Sequence, residues 1–141
     1  MAFQRTRCNR SRRRGALEVP AQWQTVSVPQ DPCPDDFTAP GVIAGALGDV
    51  RNCYMKASPA SPEVTFAFGG PPDPSVPAGV PEARTVNGVA ALVATADLYR
   101  DGSESEFLAL FPDWDASLRV RVKGDASAAL ATGNALAARS A

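Results

Sequence analysis

WDASLRVRVKGDASAALATGNALAAR, residues 114–139, holds the two clearest structural signals in the chain. In its first ten residues every second side chain is apolar, and cations fall between them at Arg119, Arg121 and Lys123. This period of two predicts a strand with one buried face and one wet face. Gly124 ends the pattern, and Asp125 stands where a helix N-cap residue is expected. The stretch therefore predicts a strand that leads into a C-terminal helix from Ala126 to Arg139.

The rest of the chain adds short apolar or alternating segments separated by turns, in keeping with its 13 prolines and 11 glycines. We interpret the following segments as strands: 17–19, 26–28, 42–47, 52–55, 64–68, 85–86, 89–99 and 107–111. Asn87-Gly88 is the strongest turn signal, because a two-residue type I′ hairpin needs positive φ at both central positions. The longest loop is predicted over residues 69–81. The fold class that follows is α+β, an antiparallel β-sheet meander of seven or eight short strands with a C-terminal α-helix packed on it.

Length and charge predict one domain with a basic leader. The 141 residues suit a single core. Residues 1–14 carry six arginines and no acid. Residues 15–141 therefore contain the other eight basic residues and all 15 acidic residues, which gives them a formal charge of −7. A block of like charge without periodicity is typical of disorder. We expect residues 1–15 to be a disordered basic leader and residues 16–141 to be a single α+β domain.

Composition also bears on the compartment and on the partner class. No apolar run approaches the roughly 18–20 residues that span a bilayer, so no membrane span is predicted. Glu18 stands where the apolar region of a signal peptide would begin, so no signal peptide is predicted either. An acidic body is a poor binder of phosphate, and we expect contact with nucleic acid only through the basic leader.

The residue types exclude most catalytic and metal chemistry. The chain has no histidine, which excludes Ser-His-Asp and Cys-His arrangements and histidine-ligated metals. Cys8, Cys33 and Cys53 are too widely spaced for a zinc site. We therefore predict no catalytic, cofactor-binding or metal-binding residue and no enzymatic activity. A carboxylate-based hydrolase that uses Asp113 or Asp115 is the least favoured hypothesis, because aspartates around a turn, like those of Asp35-Asp36, are more often solvated turn formers.

Two groups of residues remain candidates for a role. Cys33 and Cys53 lie 20 residues apart in loop-rich surroundings, and we favour a disulfide over two reduced thiols, which implies an oxidising compartment. The row of cations on the predicted strand is ordinarily a solvated sheet face, but it would suit an anionic surface or partner. Trp23 is more often a core anchor than a ligand platform. The possible ligand or partner surface comprises Trp23, Arg119, Arg121 and Lys123.

One segment resembles a known group of proteins. Leu17-Glu18-Val19-Pro20-Ala21-Gln22-Trp23 is similar to the opening strand of small extracytoplasmic domains of actinobacteria, including lipoprotein-type members of the PsbP-like superfamily. Those domains commonly close with a helix near a Ser-Leu-Arg-like sequence, to which Ala138-Arg139-Ser140 is similar. The resemblance implies antiparallel sheets flanked by helices and a non-enzymatic envelope or accessory role.

These observations lead to one main hypothesis and one alternative. The main hypothesis is a non-catalytic accessory or binding domain of the bacterial cell envelope, extracytoplasmic, whose partner is an unidentified protein or envelope component. The alternative is a cytoplasmic or virion-associated interaction protein with a basic nucleic-acid-binding N-terminal arm. The hypotheses differ in the state of Cys33 and Cys53 and in the role of residues 1–14.

Overall fold

The computed structural model of the chain describes residues 3–10, 13–33, 41–56, 63–69, 81–86 and 88–140. Within these residues the chain forms two sheets and two α-helices. The elements in chain order are β1 Phe3–Arg10, β2 Arg13–Pro20, β3 Gln24–Val28, β4 Gly41–Ala46, α1 Leu47–Lys56, β5 Glu63–Phe68, β6 Glu82–Val86, β7 Val89–Asp97, β8 Glu104–Phe111, a 3-10 turn Pro112–Trp114, β9 Ala116–Lys123, α2 Ala126–Ala135 and β10 Ala137–Ser140. Both α-helices have ten residues. No helix in this part of the chain has the length and apolarity of a membrane span.

The main sheet has seven strands in the order β3-β4-β5-β9-β8-β7-β6. Strands β6 to β9 form the expected antiparallel meander, including the tight β6–β7 hairpin, in which Val86 lies opposite Val89. Strands β3, β4 and β5 are parallel to one another. The α+β class fits the structure, and the main sheet is mostly antiparallel, as predicted, but it is mixed because it also contains these three parallel strands. Strands β4 and β5 can run in the same direction because α1 crosses between them.

Helix α1 replaces a strand that the sequence predicted at residues 52–55. Leu47, Val50 and Cys53 are spaced by three, so they share one side of the helix. Val50 and Cys53 are buried. This side packs on the face of the sheet formed by Val26, Val28, Ile43 and Ala67. Burial against the parallel half of the sheet therefore favours a helix where the local sequence pattern is ambiguous.

Helix α2 packs on the other face of the main sheet, as the sequence predicted. The Asp125 side chain caps it by accepting hydrogen bonds from the backbone N–H groups of Ser127 and Ala128, at 3.1 and 3.3 Å. Gly133 allows a close approach, because a Cβ atom at this position would overlap the ring of Phe107 on β8. The helix ends at Ala135 rather than Arg139. Residues beyond Leu136 pair with β2 instead, which satisfies their backbone groups at a sheet edge.

A second, three-stranded sheet has the order β1-β2-β10. Residues 3–10 and 13–15, where the sequence predicted a disordered leader, are strands in this sheet. Leu17 and Val19 of β2 have no exposed surface and belong to the same buried cluster as the main sheet. Strand β2 is thus anchored in the core, and its backbone groups are available to pair with β1 on one side and β10 on the other.

Two glycine-to-alanine substitutions in helices are expected to change stability in opposite directions. In Gly133→Ala the added methyl group overpacks against Phe107, and we expect a net loss of about 1–2 kcal/mol after the gain in helix propensity. Gly48→Ala in α1 is the matched control, because a Cβ atom there meets nothing within 4 Å, and we expect a gain of up to about 1 kcal/mol. Urea denaturation of the two variants tests this. Equal stabilisation by both substitutions would contradict the close approach of α2 to β8.

Candidate functional site

The cations of β9 lie on the face of the main sheet opposite α2, because Leu118 and Val120 between them are buried in the core. Only Lys123 is exposed. The side chains of Arg119 and Arg121 are only 14% and 27% exposed to solvent, which is low for arginine. The sequence predicted that all three cations of β9 face solvent, but only Lys123, at the end of the strand, is exposed. Arg119 and Arg121 instead take part in a buried cluster of charges that the sequence pattern did not predict.

Glu106 on β8 is the centre of this cluster. Its side chain is 1% exposed, and one carboxylate oxygen lies 3.0 Å from Nε of Arg119 and 3.7 Å from Nε of Arg121. The register of β8 and β9 accounts for this placement, because Glu106 lies directly opposite Arg121. A carboxylate without a partner is costly to bury, whereas two adjacent cations offset that cost. Glu106 thus depends on the two arginines of the neighbouring strand.

Glu63 on β5 lies on the other side of the same arginine. Because Glu63 also pairs in register with Arg121, three strands contribute one row of charges in the order Glu63, Arg121, Glu106. Thr65, which is nearly buried, lies opposite Arg119. Oxygen Oε1 of Glu63 is buried and has no hydrogen-bond partner within the residues that the structure describes. We call Glu63, Glu106, Arg119 and Arg121 the charge cluster.

The two carboxyl groups of the charge cluster have raised pKa values. Burial raises the pKa of Glu63 from 4.5 to about 7, against the opposing attraction of Arg121 and Arg119. Burial also raises the pKa of Glu106, again opposed by the two arginines. Two ionised glutamates balance two arginines, so protonation of Glu63 leaves one uncompensated positive charge. The cluster can therefore bind the three strands together and exchange a proton at Glu63 near neutral pH.

The disulfide between Cys33 and Cys53 lies on the same side of the main sheet. Their Cα atoms are 5.3 Å apart, a separation typical of disulfides. Cys53 is buried in α1, and both cysteines pack with Val26, Val28 and Ile43. The bridge connects the segment after β3 to the helix that covers β3, β4 and β5. It thus fixes α1 on the parallel half of the sheet.

The structure separates the other residues of the proposed ligand surface. Trp23 packs against the buried cluster that α2 covers, on the opposite side of the main sheet from Arg119 and Arg121. Trp114 is buried, and its ring centroid lies 4.9 Å from that of Phe111. The structure does not bring Trp23 and the cations of β9 together. A ligand or partner role for any of them stays a prediction.

The carboxylates that the sequence singled out are not gathered into a metal site in the described part of the chain. Asp113 and Asp115 are exposed and flank Trp114 at the 3-10 turn. Asp35-Asp36 and residues 70–80 of the predicted long loop lie outside the described residues. Among those described, no group of three or more cysteine, aspartate or glutamate side chains is placed to hold a metal ion.

Comparison of the chain with protein-family models, with curated proteins and with solved structures gives no match.

Removing the central carboxylate should destabilise the fold strongly. Glu106→Gln leaves Arg119 and Arg121 as half-buried charges without their shared partner, and we expect a loss of about 3 kcal/mol, as for other broken buried ion pairs. Glu104→Gln is the matched control on the same strand, at the half-buried position opposite Lys123, and should cost less than about 1 kcal/mol. Urea denaturation at pH 7 measures both, and similar losses would contradict the central role of Glu106.

The raised pKa of Glu63 predicts a dependence of stability on pH. A carboxyl group that holds its proton more tightly in the folded than in the unfolded state contributes stability that is complete below about pH 4.5 and is lost as the pH rises through about 7. Glu63→Gln should remove this contribution to the pH profile. We expect the variant to match the parent protein at pH 4 and to exceed it at pH 8 by up to about 3 kcal/mol. Parallel stability profiles of the two proteins between pH 4 and 8 would contradict the buried position of Glu63.

Proposed function

We propose that this chain is a non-catalytic accessory or binding domain of the bacterial cell envelope that works in an oxidising, extracytoplasmic compartment. The observation that carries the proposal is the disulfide between Cys33 and Cys53. Disulfides persist outside the cytosol and are rare within it. The resemblance of residues 17–23 to small extracytoplasmic domains supports the same compartment.

The contacts of Glu106, the central carboxylate of the charge cluster, support a structural rather than a catalytic role for this residue. Glu106 on β8 forms ion pairs with Arg119 and Arg121 on β9. These ion pairs hold the two strands together. A chain without histidine lacks the commonest general acid and base. The proposed role is therefore to present a rigid, cross-linked surface to a partner of the envelope.

Protein exported by its native host tests this proposal directly. We expect mass spectrometry under non-reducing conditions to find the peptides of Cys33 and Cys53 joined. The double variant Cys33→Ser/Cys53→Ser should lose about 3 kcal/mol of stability, because the bridge closes a loop of about 20 residues in the unfolded chain. Cys8→Ser, which leaves the bridge intact, is the control and should not show that loss. Free thiols at both Cys33 and Cys53 in the exported protein would overturn the proposal.

The alternative function rests on the charge of the leader. Six arginines among residues 1–14 would also suit an interaction protein that holds nucleic acid in the cytoplasm or in a virion. Such binding would weaken steeply with salt, because each phosphate contact releases counterions. Deletion of residues 1–14 and measurement of the salt dependence of duplex-DNA binding test the alternative, and an unchanged salt dependence would rule it out.

A further inference from the structure

Strand β6 lies at one end of the main sheet and is open along its outer side. In the part of the chain that the structure describes, β7 is its only neighbour in the sheet. Residues 81–85 are all exposed to solvent, so this edge is accessible. An exposed edge strand presents a row of backbone N–H and C=O groups to which a further strand can bind.

The opposite edge of the sheet differs, because the chain itself occupies it. At Ser27 on β3, the backbone N–H group donates a hydrogen bond of 2.8 Å to the side chain of Asp31. The carbonyl oxygen of Ser27 accepts a hydrogen bond of 2.7 Å from the backbone N–H group of Asp31. The residues after β3 therefore fold back on its edge, and a strand from another chain is more easily accepted at β6.

The β6–β7 hairpin determines which backbone groups of β6 point outward. Val86 and Val89 flank its two-residue turn, and residues in that position of a two-residue hairpin exchange hydrogen bonds. Hydrogen-bonded and non-hydrogen-bonded pairs alternate along an antiparallel ladder. Ala83 and Thr85 therefore lie in non-hydrogen-bonded pairs with β7, and their N–H and C=O groups point away from it. Pro81 continues this alternation, but it has only a C=O group to offer.

The side chains of β6 are complementary to those of a second copy of the same strand. Glu82 and Arg84 are two residues apart and lie on one face of the sheet, with their side chains 67% and 45% exposed. They form an ion pair along the strand, with Nη2 of Arg84 3.1 Å from Oε2 of Glu82. An antiparallel copy of the strand runs in the opposite direction, so it presents the same two charges in reverse order.

We propose that two copies of this chain associate by antiparallel pairing of their β6 strands, which joins the two main sheets into one. The two-fold axis lies at Ala83, so the two Ala83 residues face each other and exchange hydrogen bonds. Each Glu82 then lies directly opposite Arg84 of the other copy. Thr85 donates its N–H group to the C=O group of Pro81 across the axis, which uses the one backbone group that Pro81 offers.

The charges distinguish this register from its neighbours. An axis at Arg84 would bring the two Arg84 side chains together, and an axis at Glu82 would bring the two Glu82 side chains together. Like charges directly opposite each other destabilise a strand pair, whereas opposite charges stabilise it. Glu82 and Arg84 form non-hydrogen-bonded pairs across the new interface, in which the Cα atoms are only about 4.5 Å apart. The ordering of charge along β6 therefore favours the axis at Ala83.

Sedimentation equilibrium of the full chain tests the proposal. An interface of one strand pair is small, so we expect a weak dimer that forms reversibly as the protein concentration rises towards about 1 mM. Glu82→Lys and Arg84→Glu each place like charges opposite each other and should weaken dimerisation by at least about tenfold. Every protein in the comparison carries Cys8→Ser, which excludes a covalent link through the third cysteine.

Two combinations restore opposite charges and should restore the dimer. An equimolar mixture of Glu82→Lys and Arg84→Glu should form a heterodimer about as tight as the parent homodimer, because every cation then faces a carboxylate. The double variant Glu82→Arg/Arg84→Glu exchanges the charges within one chain and should form a homodimer again. Arg51→Glu is the matched control, because Arg51 is exposed on α1 over the other half of the sheet, and it should change dimerisation by less than about twofold.

Ala83→Pro tests the backbone contacts separately. Because the N–H group of Ala83 points away from β7, proline should leave the monomer folded, which circular dichroism and urea denaturation check. The substitution removes both N–H donors at the two-fold axis and should weaken dimerisation by at least about tenfold.

Three results would overturn the proposal. They are a chain that stays monomeric at the highest concentration, a dimer that the charge variants and Ala83→Pro leave intact, and a mixture of the two charge variants that stays monomeric while the parent protein dimerises. Each result would remove the pairing of β6 without affecting the proposed compartment, because the disulfide between Cys33 and Cys53 lies at the other half of the sheet.

Discussion

The buried ion pairs of Glu106 with Arg119 and Arg121 are the constraint on which the arrangement of the main sheet depends. Strand β9 is where the parallel strands β3 to β5 meet the antiparallel strands β6 to β8. At this junction Arg121 lies in register between Glu63 and Glu106. A shift of one residue in either strand pair would turn these side chains into the apolar core under α2, at the cost of buried, unpaired charges. The charge cluster thus specifies the register at the point where the two halves of the sheet are joined.

The two faces of the main sheet are stabilised by different means. On one face, α2 and the small sheet enclose a continuous apolar core, and Gly133 lets the helix approach Phe107 closely. On the other face, α1 and the disulfide cover β3 to β5, and the charge cluster lies across β5, β9 and β8. The second face therefore combines a covalent link with polar contacts.

Some of this architecture could be predicted because its signals are local. Period-two alternation identified β9, the Asn87-Gly88 turn identified the β6–β7 hairpin, and Asp125 marked the start of α2. The pairing of Glu106 with Arg121 could also be predicted from the sequence. Counting outward from the turn after β8, Phe111 lies opposite Ala116, and five residues further along each strand Glu106 lies opposite Arg121. The pairing of Glu106 with Arg121 follows from that count, but neither the count nor the alternation of β9 reveals that Arg119 and Arg121 are largely buried.

Other features depend on contacts between distant parts of the chain. Residues 52–55 form a helix because the spacing of Val50 and Cys53 matches an apolar face of the sheet that only the folded strands create. Residues 3–10 form a strand because β2 is already anchored through Leu17 and Val19. The pairing of β10 with β2 joins the two ends of the chain, and no local pattern signals it. These elements are set by tertiary packing, which overrides weak local preference.

A double-mutant cycle between Glu106→Gln and Arg119→Met tests the central claim most directly, because it isolates the interaction of the two side chains from the effect of each substitution alone. The account predicts a coupling free energy of at least about 1.5 kcal/mol at pH 7, with the double variant more stable than the sum of the single losses implies. A coupling below about 0.5 kcal/mol would contradict it, because the two groups would then contribute to the sheet independently.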